Sequence, residues 1–145
     1  MQISDTGLNL IKQYEGLRLE AYYCPAGKLT VGYGHLVPGW KVGTLITEAE
    51  ADDFLRQDVQ GTEKAVNRLI SVALTQNMFD ALCSFTFNVG AGSLETSTLR
   101  KHLNCGCYER AAEEFMRWVY VKGRISTGLK KRRLAEKALF LRGYK

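Results

Sequence analysis

Three side chains near the start of the chain are of types that could together hydrolyse a polar bond. Glu15 carries a carboxyl group, Cys24 a thiol and Thr30 a hydroxyl, with eight residues between the first two and five between the last two. Glu15 closes a predicted helix and the other two lie on a predicted hairpin, so the three can converge. If Glu15 lies at a partly buried junction, which is one interpretation of its position, its carboxyl group can donate a proton near neutral pH.

Each of these residues also has a simpler interpretation. Taken alone, Glu15 is better explained as an exposed charge at a helix end, because most carboxylates lie at the surface. Thr30 would then be an ordinary β-branched strand residue. Cys24 leaves three roles open: a thiolate nucleophile, a weak base that activates water, or a passive thiol. A thiol ionises only slightly at neutral pH unless its surroundings lower the pKa.

The surrounding patterns predict a helix followed by a small sheet. Apolar residues recur at helical spacing from about residue 4 to Glu15, and Gly16 ends that helix. Residues 17–37 alternate between apolar and polar around the turn sequence Pro25-Ala-Gly27, which predicts antiparallel strands. Thr47-Glu-Ala-Glu50 is a capping box that begins a long helix.

The remainder of the chain predicts a helical bundle. A helix that is apolar on nearly all sides begins at Thr75 and ends at Gly90, and three more are predicted over Ser97 to Asn104, Tyr108 to Tyr120 and Leu129 to Leu141. The fold class is therefore α+β and mostly α, in a single domain. We expect an N-terminal lobe of about 12–60 with the sheet and a helical C-terminal lobe of about 61–145. Helix 4–15 would pack on the latter, and the two lobes would flank a cleft.

The net charge of +5 comes largely from the end of the chain, and it leaves two interpretations open. The basic residues there are Lys130, Lys131, Arg132, Arg133, Lys137, Arg142 and Lys145. They form either a solvated helix face or a surface for a polyanion such as nucleic acid, an anionic membrane or a bacterial wall. The N-terminus has no signal-peptide pattern and no apolar run could span a bilayer, so we expect a cytoplasmic start and no stable membrane insertion.

The four cysteines do not form a metal-binding pattern. Cys105-Gly-Cys107 has no second cysteine or histidine pair at a zinc-like spacing, and Cys83 lies within the apolar helix. We predict free thiols, no metal and no cofactor, since an acid and water suffice for the chemistry. A regulatory disulfide involving Cys24 is left open.

Residues 15–35, EGLRLEAYYCPAGKLTVGYGH, strongly resemble the catalytic segment of the phage-type lysozymes, glycoside hydrolase family 24, also called endolysins. That family has Glu, eight residues, Asp (Cys in some members), five residues, Thr and then Gly-x-Gly-His. Here these are Glu15, Cys24, Thr30 and Gly32-Tyr-Gly-His35. Further agreement lies in 76–90, 97–100 and 128–133, so the resemblance covers essentially the whole chain and implies a lysozyme-like fold.

The resemblance implies hydrolysis of the β-1,4 bond between N-acetylmuramic acid and N-acetylglucosamine in peptidoglycan. Glu15 would be the general acid, Cys24, in the usual Asp position, the nucleophile or water-activating group, and Thr30 the residue that positions water. His35 would support the segment behind Glu15. By the same resemblance Leu36, Phe87 and Thr98 would line the saccharide cleft, and one basic side chain among residues 130–133 would lie near the catalytic glutamate.

The resemblance also implies a biological setting. The protein would be a monomer that waits in the host cytoplasm for holin-mediated release, acts on peptidoglycan in the periplasm and lyses the host so that phage are released. The alternatives are a wall-binding pseudoenzyme, inactivated by Cys24 in place of Asp, and a basic nucleic-acid-binding protein. The latter lacks a recognisable reading module, so no specific nucleic acid is expected.

Overall fold

The computed structural model describes residues 1–144. Helices dominate it, and the strands are short. In chain order the elements are α1 (Asp5–Glu15), β1 (Arg18–Tyr23), β2 (Leu29–Gly32), β3 (His35–Leu36), α2 (Glu48–Leu69), α3 (Gln76–Val89), α4 (Ala91–Thr96), α5 (Thr98–Asn104), α6 (Tyr108–Glu114), a 3-10 turn (Phe115–Arg117), β4 (Tyr120–Val121), β5 (Arg124–Ile125) and α7 (Thr127–Tyr144). The chain divides into two compact units, Ile11–Gly61 and a larger one formed by Met1–Leu10 with the chain from Thr62 onward.

The smaller unit is built around the three-stranded antiparallel sheet β1–β2–β3. The sequence alternation predicts these strands, and the structure pairs Tyr22 with Thr30 and Thr30 with Leu36 across them. At the start of α2, the Thr47 backbone N–H donates to Glu50 and the Glu50 N–H donates to the Thr47 hydroxyl, at 3.0 and 3.1 Å. The predicted capping box is therefore confirmed.

The larger unit is organised around α3. Nine consecutive residues of this helix, Met78–Thr86, are buried, as its apolar composition predicts. The Thr75 hydroxyl caps its first turn, and Gly90, with φ of 94°, ends it. Residues of α5, α6, the 3-10 turn and α7 complete the core, including Leu99, Phe115 and Phe140, none of which is exposed.

Two predicted elements of this unit need correction. The helix predicted over Tyr108 to Tyr120 stops at Glu114, and the chain continues through the 3-10 turn into the hairpin β4–β5. β-branched and aromatic residues and a left-handed turn at Lys122-Gly123 favour strands there. The helix α4 was not predicted, because two glycines so close together, Gly90 and Gly92, are typical of a loop. In the structure Leu94 of this short helix is fully buried and anchors it.

The basic residues of α7 do not form a uniform exposed face. Arg133 is fully buried and Arg132 is 3% exposed. Both guanidinium groups lie 3.2 Å from a carboxylate oxygen of Glu136, which is itself fully buried. At spacings of three and four residues these side chains share one helix face, and that face points into the core. Part of the predicted cationic cluster is therefore internal.

None of the helices within the described residues is long and apolar enough to cross a membrane.

Candidate active site

Cys24 lies where β1 turns into β2, and backbone hydrogen bonds fix the turn. The Cys24 N–H donates to the Lys28 carbonyl at 2.9 Å, and the Gly27 N–H donates to the Cys24 carbonyl at 2.8 Å. Gly27 has φ of 77°, a conformation that a side chain would strain. The predicted turn sequence thus places a half-buried thiol at a defined position.

The surroundings of Cys24 favour its thiolate. A hydrogen bond with the Lys28 backbone is the largest influence and lowers the pKa of the thiol. Partial desolvation opposes this effect, whereas hydrogen bonds with the Ala26 backbone and the Thr30 side chain lower the pKa further. Hydrogen bonds to the charged form of a group stabilise that form. The turn therefore increases the thiolate fraction at a given pH.

Thr30 lies in β2 beside this thiol and is 3% exposed. Its hydroxyl donates to the Lys28 carbonyl at 2.9 Å. Because a hydroxyl has one proton and two acceptor lone pairs, the Thr30 oxygen remains able to accept a hydrogen bond. The structure thus brings together two of the three predicted catalytic side chains around a single turn.

Glu15 is the last residue of α1, and Gly16, with φ of 75°, follows it. Glu15 is exposed, as its simpler interpretation predicts, and its carboxyl group is not partly buried. Its Oε1 atom lies 3.9 Å from the position that a Cβ atom would take at Gly34, so the carboxylate faces the Gly-Tyr-Gly-His segment. A negative charge at a helix C-terminus opposes the macrodipole, and such local conflicts are typical of functional positions.

His35 is held from two sides. Its Nδ1 atom lies 2.9 and 3.0 Å from the two Asp58 carboxylate oxygens, and its ring stacks on Phe54 with centroids 4.2 Å apart. These contacts fix the residue that follows Gly34. The sequence reasoning missed Asp58 and Phe54 as partners, although their spacing of four residues on α2 places them on one helix face and could have indicated them.

The predicted saccharide-contacting residues have different settings. Leu36, which is 49% exposed, pairs with Thr30 across the sheet of the smaller unit. In the larger unit, Phe87 is half-buried on α3 and Thr98 is exposed at the start of α5. Thr98 lines a cavity of about 290 Å³ together with Arg117 and Trp118. The roles of Leu36, Phe87 and Thr98 stay predictions.

The basic candidates on α7 separate into two groups. Arg132 donates to the Ser84 carbonyl at 3.0 Å, and Arg133 donates to the Asn88 side chain. Both therefore contact α3 within the larger unit. Lys130 and Lys131 are exposed.

Comparisons with known proteins agree over nearly the whole chain. The family described as Phage lysozyme matches residues 12–136. The endolysin of Acyrthosiphon pisum secondary endosymbiont phage 1 is 51% identical over 144 residues, covering 97% of this chain and 98% of that relative. Among solved structures, an endolysin from Escherichia coli O157:H7 phage FAHEc1 shares 43% identity with a TM-score of 0.89, covering 97% of this chain and 94% of that one.

A crystal structure of a mutant P22 lysozyme gives the same picture, with 38% identity, a TM-score of 0.89 and coverage of 97% of this chain and 99% of that one. The predicted α+β, mostly helical, lysozyme-like fold is therefore confirmed.

Proposed function

The chain belongs to the phage lysozyme family, and on this premise we propose how its own residues hydrolyse the glycan of peptidoglycan. The protein is an endolysin-type muramidase, a glycoside hydrolase that degrades the host wall. In the proposed mechanism Glu15 donates a proton to the leaving glycosidic oxygen. Cys24 and Thr30 deliver the water that attacks the anomeric carbon.

The arrangement around Cys24 supports a water-activating role. The Thr30 hydroxyl has one proton, which it donates either to the Lys28 carbonyl or to the Cys24 thiolate, and in both cases its oxygen keeps lone pairs that accept a hydrogen bond. The pKa of Cys24 is lowered, so its sulfur is also an acceptor when ionised. A water that donates one proton to each of them presents its lone pair outward. Attack by this water, with proton transfer to the thiolate, replaces the leaving group in one step and inverts the anomeric configuration.

This proposal rests mainly on the backbone of Lys28, which forms hydrogen bonds with both the Cys24 thiol and the Thr30 hydroxyl. If Cys24 were instead the nucleophile, its sulfur would form a covalent glycosyl intermediate and the product would retain its configuration. Product stereochemistry therefore separates the two roles.

The test measures release of reducing ends from purified Gram-negative peptidoglycan and the anomer formed, by proton NMR during early turnover. Glu15→Gln is expected to lower kcat by about 10²–10⁴-fold, the usual contribution of a general acid. Cys24→Asp should keep substantial activity and Cys24→Ser little, because a carboxylate can replace the thiolate as base. A retained anomer with a glycosyl adduct on Cys24 would refute the water-activating role.

If the unmodified protein binds insoluble peptidoglycan but releases no reducing ends, the pseudoenzyme alternative replaces the catalytic proposal. Salt-dependent DNA binding without any effect on peptidoglycan would instead support the nucleic-acid alternative.

We also propose that the protein acts as a monomer and reaches the wall through a holin pore. Expression alone should leave host cells intact, whereas co-expression with a pore-forming holin should lyse them. Lysis by the endolysin expressed alone would contradict holin dependence. A single sedimentation species of about 16.3 kDa is expected.

A further inference from the structure

The hairpin β4–β5 carries a cation at its tip in an unusual backbone position. Tyr120 pairs with Ile125 and Val121 pairs with Arg124. The two turn residues, Lys122 and Gly123, have φ of 51° and 77°. A turn with both central residues in this region favours Gly, which has no β-carbon, or Asn and Asp, whose short polar side chains hydrogen-bond locally. The tip thus holds a lysine where the backbone favours other residues.

The same hairpin exposes large apolar side chains. Tyr120 is 58% exposed, Val121 51% and Ile125 58%. Side chains of paired residues share one face of a hairpin, so Tyr120 lies beside Ile125, and Val121 lies beside Arg124 on the other face. Both faces therefore present apolar side chains to water over about half of their surface.

The charge around the hairpin has one sign. The sequence contains no Asp or Glu between Glu114 and Glu136. Within residues 1–144, Lys122 and Arg124 take part in no ion pair, whereas the buried Arg132 and Arg133 are paired with Glu136. The exposed positive charge at the hairpin is thus not balanced by an ion pair within the described residues.

We propose that the hairpin β4–β5 docks reversibly onto an anionic lipid surface. Lys122 and Arg124 contact lipid phosphates, while Tyr120, Val121 and Ile125 enter the headgroup region. Glycan strands and their acidic peptides would satisfy the cations, but they have no apolar phase that the Val121 and Ile125 side chains could enter. Tyrosine favours the interface between lipid and water, and a contact of this size gives peripheral binding. The inference does not depend on the proposed catalytic mechanism.

The test is co-sedimentation with vesicles of equimolar phosphatidylglycerol and phosphatidylcholine, compared with pure phosphatidylcholine. The unmodified protein should bind the anionic vesicles, and the variant Lys122→Gln/Arg124→Gln should bind them about 25-fold more weakly, at about fivefold for each cation. The control Lys64→Gln/Arg68→Gln changes two exposed basic residues of α2 and gives the same net charge. It should change the affinity less than twofold.

A second variant, Val121→Ser/Ile125→Ser, tests the apolar part and should weaken binding to the anionic vesicles about tenfold. Circular dichroism and activity on soluble peptidoglycan fragments verify that each variant is folded. Equal binding by the hairpin variants and the α2 control would overturn the proposal. Hairpin-dependent binding to purified sacculi, with none to vesicles, would also overturn it in favour of a wall contact.

Discussion

At the scale of single residues, the ionisation of Cys24 depends mainly on backbone groups, whose positions cannot be read from the residue types in the sequence. The Lys28 backbone is the main one, and it is positioned by the closed turn between β1 and β2. A backbone group costs no side-chain entropy to place, and among substitutions of Lys28 only proline removes its N–H. The thiolate of Cys24 is therefore supported by the shape of the turn.

This support predicts the pH dependence of Cys24 reactivity. Because the pKa of Cys24 is lowered, its alkylation by iodoacetamide should reach half of its maximal rate below the pH of about 8.5 typical of a free thiol. The rate is read at Cys24 by peptide mass spectrometry, with the protein unfolded in urea as reference. Alkylation should abolish hydrolysis, and equal midpoints in the folded and unfolded protein would contradict the prediction.

Thr30→Val provides the matched variant for this experiment, since it keeps the β-branched shape that the strand favours. Loss of the hydroxyl should move the alkylation midpoint upward and reduce hydrolysis, with little change in melting temperature.

The spacing of Glu15, Cys24 and Thr30 indicated the candidate site from sequence alone, and the structure places all three within Ile11–Gly61. The contribution of the Lys28 backbone could not be predicted in this way. It depends on the path of the chain through a glycine turn with positive φ, which residue types constrain only loosely.

At the scale of elements, two helical glycines predict opposite effects of the same substitution. A Cβ atom at Gly7 in α1 would lie 2.5 Å from Ile3 Cγ1 and 2.9 Å from Asp80 Cβ. Gly7→Ala should therefore destabilise the protein, by about 1–3 kcal/mol, through overpacking. Gly61 in α2 has nothing within 4 Å, so Gly61→Ala should stabilise it by about 0.5–1 kcal/mol through helix propensity.

Urea unfolding of both glycine variants checks this pair. Stabilisation by Gly7→Ala would show that α1 can move away from Asp80, contrary to the close packing described above. The comparison removes the shared contribution of helix propensity, because the chemical change is identical at both sites.

Element prediction succeeded where one periodic pattern extended over many residues, as in α2 and α3. It failed after Glu114, where a few apolar residues fit a helix as well as a strand. Tyr120 was assigned to the end of a helix although Lys122-Gly123 follows two positions later. The left-handed conformation of these two turn residues distinguishes a hairpin from a helix here, and a lysine in the sequence does not predict that conformation.

At the scale of the whole molecule, a buried ion cluster joins α3 and α7 in the core of the larger unit. Glu136 accepts a hydrogen bond from Ser84 at 2.6 Å and lies between Arg132 and Arg133. Removing one partner from such a cluster leaves uncompensated buried charge, which costs far more than the cluster contributes as a whole.

Glu136→Ala should therefore lower the free energy of unfolding by about 3–5 kcal/mol. The control Glu113→Ala removes an exposed glutamate of α6 and should change it by less than about 0.5 kcal/mol. Guanidinium unfolding followed by circular dichroism measures both. Similar midpoints for the two variants would show that water or another group neutralises the arginines.

The Cys24 turn also has a consequence for how this protein can diverge. Its thiol depends on the main chain of residue 28 but not on the lysine side chain, whereas Gly27 must keep φ of 77°. Lineages descending from this sequence can therefore carry any residue except proline at position 28, while purifying selection keeps glycine at position 27. A comparison of such lineages would find the stronger constraint at position 27, although the backbone of residue 28 has the larger influence on the pKa of the thiol.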